Sequence, residues 1–207
     1  ALQGDRMTRD EIIDKGVEAA LTLAETEKWS AITLAAIAAE AGLSLSDFHK
    51  HADKDALSAA VERRFDAGMS EGSFDTDETA RTRLFDVIML RFETMEDVRD
   101  GAMSFLRWRD RSLDGLGLRL KNRAATAKWA LTCAGLDGSN AIPRGVQVTA
   151  LAWAIAQAER AWRQETSADL SRTMAALDAE LIKLEERAEW LKGRGKRKSQ
   201  SEPAPDQ

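Results

Sequence analysis

Apolar side chains recur every three or four positions along most of the chain, the spacing that places them on one face of an α-helix. The first such stretch, residues 8–26, begins with Thr8 and Glu11, which have the spacing of a helix capping box. Runs of β-branched residues are scarce, and Ala, Leu, Glu, Arg and Asp dominate the composition. The pattern predicts an all-α protein of about nine helices.

The segment 33–61 has the layout of a helix-turn-helix. Thr33 can cap a short alanine-rich helix that ends at Gly42, since glycine best tolerates the left-handed conformation of a helix stop. Ser44 or Ser46 then begins a second short helix. The second helix of such a motif can lie in the major groove of DNA, with its first residues facing the base edges.

A polar linker predicts two domains. Residues 68–77 are rich in Gly, Ser, Asp and Thr, which is typical of a connection between folded parts. We expect an N-terminal helix-turn-helix domain at 8–66 and a helical ligand-binding and dimerisation domain at 78–192. The polar residues 193–207 are predicted to form a disordered tail.

The last two predicted helices carry the clearest apolar pattern. Within 148–162 and 170–191 the apolar positions step by three and four, which suits helices that cross at shallow angles. Two such hairpins across a two-fold axis form a four-helix bundle, and a bundle within one chain is the alternative. The predicted dimer contacts are Leu151, Ile155, Trp162, Met174, Leu177, Leu181 and Leu184.

Aromatic residues in the middle helices predict an apolar cavity. The chain has 6 tryptophans, most of which core packing would explain. A cavity between the helices of a bundle is a common place for a small ligand. The residues predicted to line it are Phe92, Phe105, Trp108, Trp129 and Trp153.

Composition excludes several classes of function. The sequence contains no glycine-rich phosphate loop and no nucleophile elbow, and both histidines fall inside the helix-turn-helix segment. We therefore expect neither an enzyme nor a bound cofactor or metal. No apolar run is long enough to span a bilayer and the first residues lack the layout of a signal peptide, so we expect a cytoplasmic protein.

Charge limits how the chain could bind nucleic acid. The net charge is -5, and residues 1–65 contain 8 basic and 12 acidic side chains. Contact with DNA phosphates therefore requires a locally basic surface.

Residues 8–61 resemble the TetR family of bacterial transcriptional regulators. The resemblance lies in the capped first helix, the run ITLAAIAAEAGLS, the short helix that ends near His51 and the run DKDAL. It implies a repressor that binds palindromic DNA as a homodimer and responds to a small apolar effector. It also implies DNA contacts from Thr33, Ser44, Leu45, Ser46, His49, Lys50 and Lys54.

Two later segments, RLFDVIMLRFETMEDVRDGAMSFLR and DLSRTMAALDAEL, are similar to an α-proteobacterial subgroup of TetR-like proteins. Members of this subgroup are similar to the lipid-binding accessory protein of ubiquinone biosynthesis. It implies an alternative function, binding of a lipid or isoprenoid without DNA. His49 and Ala52 stand where the TetR family usually has Tyr and Phe. If the protein binds lipid, Trp190 and the basic residues of 192–198 would suit contact with a membrane surface. A solvated tail is the alternative explanation of this basic segment.

Overall fold

The computed structural model describes residues 7–73, 75–138 and 142–200. Those residues form α-helices and connecting segments without a strand, which confirms the predicted all-α fold. A 3-10 turn, Gly68–Ser70, follows the fourth helix. The described residues contain nine α-helices, which are α1 Arg9–Ala24, α2 Leu34–Glu40, α3 Leu45–His49, α4 Lys54–Ala67, α5 Ala80–Glu96, α6 Arg99–Arg111, α7 Leu113–Cys133, α8 Arg144–Trp162 and α9 Ser171–Gln200.

The helices form two compact units that differ from the predicted linear division. The first unit contains the described residues up to 71 together with 91–122, and the second contains 72–90 and the described residues from 123 onward. Helices α5 and α7 therefore each contribute to both units. The N-terminal helices pack with α6, which the sequence analysis had placed in the second domain.

Local caps explain where the first helices begin. The Thr8 hydroxyl accepts a hydrogen bond from the Glu11 amide at 3.3 Å, and a Glu11 carboxylate oxygen accepts one from the Thr8 amide at 2.7 Å. Thr33 caps α2 and Asp53 caps α4 in the same way, each with its side-chain oxygen. These bonds satisfy amides that have no partner inside the helix. The predicted starts of α1 and α2 are confirmed.

A glycine allows α6 to pack directly on α1. A Cβ atom at Gly101 would lie 2.3 Å from the carbonyl oxygen of Leu21, so only glycine allows this backbone approach. Leu21, Phe105 and Leu106 are fully or almost fully buried in this unit. The approach explains why the packing groups α6 with the N-terminal helices.

A buried ionic cluster fixes α4 within the first unit. The Glu62 carboxylate accepts hydrogen bonds from Arg91 at 2.9 Å and from Arg109 at 2.6 Å. Arg91 also pairs with Asp66, and Arg109 with Asp110 at 3.2 Å. Glu62, Arg91 and Arg109 are almost completely buried. Because buried charges are stable only with partners, these pairs tie α4 to α6 and to the last turns of α5.

In the second unit α8 packs along α9. The buried apolar side chains of these two helices include Val148, Leu151, Ala154, Ile155, Ala158, Trp162, Leu177 and Leu181. Arg81 of α5 adds ion pairs to two carboxylates of α9, Asp178 at 2.9 Å and Glu185 at 3.2 Å. The apolar stripes of α8 and α9 therefore form the core of a single chain.

Glu165 stabilises the start of α9. Its carboxylate accepts hydrogen bonds from the amide of Thr173 at 2.9 Å and from the amides of Thr166 and Ser167. Burial acts to raise the pKa of Glu165, but these bonds and one from the Ser167 hydroxyl outweigh it and lower the pKa to about 2. The carboxylate therefore stays charged at the positive end of the helix dipole.

We expect Glu165→Gln to destabilise the protein by about 2 kcal/mol at neutral pH, because charge-assisted hydrogen bonds to helix amides are lost. The depressed pKa means that Glu165 contributes stability above the ordinary value of 4.5, and that this contribution disappears as the pH falls from 4.5 towards about 2. Urea unfolding at a series of pH values measures both effects. Glu189→Gln, an exposed glutamate within α9, is the control. A gap between wild type and Glu165→Gln that stayed constant down to the acid limit would contradict the assignment.

Helix α9 continues to Gln200, so residues 193–200 are helical where a disordered tail was expected. Residues 201–207 lie outside the described part of the chain. Across the described residues no helix is both long and apolar enough to cross a bilayer.

Candidate nucleic-acid interface

The turn between α2 and α3 is closed by backbone hydrogen bonds. The amide of Leu43 donates to the carbonyl of Ala38 at 2.9 Å, and the amide of Gly42 donates to Ala39 at 3.1 Å. Gly42 has a φ of 66°, the left-handed conformation that side chains disfavour. This arrangement is a Schellman motif, and it reverses the chain so that α3 follows α2 after four residues.

The inner side of α3 rests on α1 and α4. Phe48 is completely buried, and a Cβ atom at Gly16 of α1 would lie 2.8 Å from its ring. The same Cβ atom would lie 2.9 Å from Leu57 of α4. Gly16 therefore provides the space in which Phe48 anchors α3, and this anchor turns the opposite side of the helix outward.

The outer side of α3 and the start of α2 carry the residues that the resemblance assigned to DNA. Six of the seven predicted contact residues are exposed, and Leu45 leaves 50% of its surface open to solvent. The structure brings these side chains together around one helix-turn-helix. The six residues are Thr33, Ser44, Leu45, Ser46, His49 and Lys50.

The first turn of α3 also holds a carboxylate. Asp47 accepts hydrogen bonds from the amide of Ser44 at 2.9 Å and from its hydroxyl at 2.7 Å, and the Ser44 hydroxyl lies 2.7 Å from that of Ser46. The hydrogen bonds from Ser44 lower the pKa of Asp47 from its ordinary value. The candidate interface therefore keeps one negative charge, and Ser44 starts α3 as one of the two predicted caps.

Lys54, the seventh predicted contact, lies in a different environment. Its ammonium group donates hydrogen bonds to the carbonyl oxygens of Trp29, at 2.8 Å, and Ile32. Burial lowers the pKa of Lys54 from its ordinary value. In this structure Lys54 ties the start of α4 to the loop before α2, so its charge is engaged with the protein backbone and not directed to solvent.

Arg9 is a cation near α3 that the sequence analysis did not identify. It begins α1, and its Nε atom donates a hydrogen bond to the carbonyl oxygen of His51 at 3.2 Å, just after the end of α3. The two residues are 42 positions apart, so no local pattern in the sequence brings them together. Arg9, His49 and Lys50 are the exposed basic side chains of this region.

Comparison with known proteins decides the fold. Two solved structures resemble this chain, and each of them aligns with it over nearly its own full length. One is a TetR transcriptional regulator from Nitrosomonas europaea, with a TM-score of 0.67, 21% identity, and 86% of this chain and 98% of that chain covered. The other is a TetR transcriptional regulator from Rhodococcus sp. RHA1, with a TM-score of 0.58, 16% identity, and 86% and 99% covered. The chain has the TetR fold. No protein-family model and no curated protein matches it.

The residues predicted to line a ligand pocket fall in both units of the TetR fold. In the first unit Phe92 and Phe105 are fully buried, and Phe105 packs against Trp29 at 4.9 Å and Trp108 at 5.8 Å between ring centroids. This cluster forms a closed aromatic core. In the second unit Trp129 and Trp153 expose 41% and 56% of their surfaces.

A shallow groove of about 320 Å³ lies in the second unit between α5 and α9. It contains none of the five predicted pocket residues. Arg81 at this groove already pairs with two carboxylates of α9, so its charge is neutralised there. The residues that line the groove are Arg81, Thr82, Phe85, Met174, Ala175 and Asp178.

The predicted dimer contacts also differ in their exposure. Five of the seven, Leu151, Ile155, Trp162, Leu177 and Leu181, are buried within the single chain. Leu184 is half-buried, and Met174 exposes 40% of its surface. Among the described residues of α8 and α9, five large apolar side chains are exposed, and one of them, Met174, is a predicted contact. They are Val146, Trp153, Met174, Ile182 and Trp190.

Proposed function

We propose that this protein is a transcriptional regulator that binds palindromic DNA through its helix-turn-helix. The observation that carries the proposal is the exposed outer side of α3, which presents Ser46, His49 and Lys50 while Phe48 anchors the opposite side in the core. The fold shared with two TetR transcriptional regulators supports it.

Local charge sets the conditions for DNA binding. Lys50 and Arg9 place positive charge at the two sides of α3 in a protein of net charge -5. Contacts to phosphates release counterions, so binding weakens as salt rises, and more steeply the more phosphates are contacted. Lys50, at the end of α3, is the side chain most able to reach a phosphate or a base edge without disturbing the fold. We leave Lys54 out of this role, because its ammonium group donates hydrogen bonds to the carbonyls of Trp29 and Ile32.

A homodimer is part of the proposal, with a contact surface revised from the sequence analysis. Val146 and Trp153 are seven residues apart on α8, and Met174 and Ile182 are eight apart on α9, so each pair repeats after two helical turns. All four are exposed in the single chain. A second copy that covered them would form a four-helix bundle and would give the dimer two recognition helices, one for each half of a palindromic site.

Response to a small apolar effector completes the proposal and rests on the resemblance to the TetR family. A ligand that binds one arrangement of the helical domain better than another shifts the population towards it. In a dimer this changes the distance between the two recognition helices and with it the affinity for DNA.

We expect Lys50→Ala to weaken retardation of the DNA that flanks the gene by about tenfold or more, since a base-edge or phosphate contact is lost. Gel retardation at several salt concentrations measures this, with wild-type binding falling steeply as salt rises. Lys128→Ala, an exposed lysine of α7 in the second unit, is the matched control and should bind like the wild type. Equal binding by wild type and Lys50→Ala would exclude α3 as the recognition helix.

A lipid or isoprenoid carrier that does not bind DNA is the second candidate. The engagement of Lys54 with the backbone and the carboxylate of Asp47 on α3 both favour it, since each reduces positive charge at the interface. Organic extraction of the purified protein followed by mass spectrometry distinguishes the two. A stoichiometric isoprenoid or phospholipid, with no retardation of DNA at low salt, would replace the regulator by the carrier.

A further inference from the structure

Three leucines near the start of α7 project into solvent from the first compact unit. Leu113 exposes 89% of its surface, Leu120 exposes 64% and Leu116 exposes 39%. At 100° per residue they fall within an arc of about 60° on one side of the helix. Contiguous apolar surface of this kind on a folded protein marks a place that another molecule covers.

The corner between α6 and α7 holds these leucines outward. Ser112 ends α6, and its hydroxyl accepts a hydrogen bond from the amide of Gly115 at 2.9 Å. On the inner side of α7, a Cβ atom at Gly115 would lie 2.4 Å from the carbonyl oxygen of Arg109. Backbone therefore packs on backbone behind the leucines, and the side of α7 opposite Gly115 faces solvent.

The segment that carries the exposed leucines is basic. The segment 107–122 contains five Lys or Arg and two Asp, in a chain whose net charge is -5. Arg107, Arg111 and Lys121 are exposed. Around the axis of α7, Lys121 lies on one flank of the leucine stripe and Arg119 on the other. We call the surface formed by the three leucines with Arg107, Arg111 and Lys121 the leucine corner.

We propose that the leucine corner docks on the surface of an anionic lipid bilayer. The leucines insert at the boundary between headgroups and acyl chains, while the long basic side chains extend to lipid phosphates. An acidic protein partner would need a hollow shaped to the projecting Leu113, whereas a bilayer accepts a convex apolar ridge of any shape. This attachment goes beyond DNA binding by α3 and uses none of the residues assigned to it.

Vesicle co-sedimentation tests the proposal directly. We expect the full chain to sediment with phosphatidylcholine vesicles that contain about one-third phosphatidylglycerol, and not with phosphatidylcholine alone. The double variant Leu113→Ser, Leu120→Ser removes apolar surface without changing charge, and should lower binding to the anionic vesicles by about tenfold or more. Arg107→Gln, Arg111→Gln, Lys121→Gln should lower it to a similar extent and remove most of its salt dependence.

Trp190→Ser is the control that separates the leucine corner from the end of α9, where an exposed tryptophan precedes several basic residues in the sequence. It should bind anionic vesicles like the wild type.

The serine variant replaces exposed side chains, so circular dichroism should show an unchanged fold. Wild-type protein that ignores anionic vesicles overturns the proposal, as does full binding by the serine variant or loss of binding in Trp190→Ser alone. Sedimentation velocity tests the alternative that the leucine corner is a contact between two copies of the chain. If the serine variant changes the oligomeric state and the wild type does not bind vesicles, the membrane proposal is overturned.

Discussion

Replacing Glu62 with alanine is expected to destabilise the protein by about 3–5 kcal/mol, the largest effect of any single polar substitution in the first unit. Glu62 exposes only 3% of its surface and accepts hydrogen bonds from two arginines, Arg91 at 2.9 Å and Arg109 at 2.6 Å. The substitution leaves two guanidinium groups with less opposite charge in a buried environment. The loss of stability exceeds the net stabilisation by the intact ion pairs, because the two arginines remain desolvated without the carboxylate that compensated for it.

Chemical unfolding of the variant against wild type measures this effect. Glu18→Ala, an exposed glutamate of α1, is the control and should change stability by less than about 0.5 kcal/mol. Glu62→Met combined with Arg91→Leu and Arg109→Leu tests the physical cause, since replacing the three most buried charges by apolar side chains should recover part of the lost stability. A change below about 1 kcal/mol in Glu62→Ala would mean that water reaches the cluster and that burial does not govern it.

The same cluster connects stability to the proposed function. Glu62 lies in α4, directly after the helix-turn-helix, and its partners lie in α5 and α6. In DNA retardation, Glu62→Ala should therefore weaken binding even where the protein remains folded, because α4 supports α3 through Leu57, Phe48 and their shared contact at Gly16.

Gly101→Val is the second substitution with a large expected effect, a loss of about 3 kcal/mol or more. A Cβ atom at this position would lie 2.3 Å from the carbonyl oxygen of Leu21, and backbone atoms cannot move aside as a flexible side chain can. The contact between α1 and α6 would have to open, and the fully buried Phe105 and Leu106 would lose packing.

The thermal unfolding midpoint measures this loss. Gly117→Ala is the matched control, because it also adds a Cβ atom to a helical glycine but meets no atom within 4 Å. It should raise stability by about 0.5–1 kcal/mol, the difference in helix propensity between alanine and glycine. If Gly101→Val unfolded at the same temperature as wild type, the close approach of α1 and α6 would be excluded.

Much of the helix-turn-helix could be predicted from the sequence. Thr8, Thr33 and Asp53 each bind an amide three residues away, so the start of a helix depends on neighbours in the chain. Gly42 ends α2 through bonds to residues within the same turn. Interactions of this range depend on residue type and spacing, and the resemblance added the assignment of the exposed contact residues.

The candidate site was predicted less completely where distant residues meet. Lys54 bonds to Trp29 and Ile32, more than twenty residues earlier, and its side chain therefore leaves the surface to which the resemblance assigned it. Arg9 reaches the end of α3 from the start of α1. Neither contact follows from a pattern within one helix.

The sequence by itself determined the all-α class, the starts of the first helices and the turn of the helix-turn-helix, because these depend on hydrogen bonds and apolar spacing within a few residues. Only the tertiary structure decided that α6 packs with α1, that Glu62 joins two arginines, and that the stripes of α8 and α9 are buried within one chain. It also decided that Leu113 stays in solvent. An apolar pattern predicts which side of a helix is buried, but what covers it depends on contacts between residues far apart in the chain, which no local spacing records.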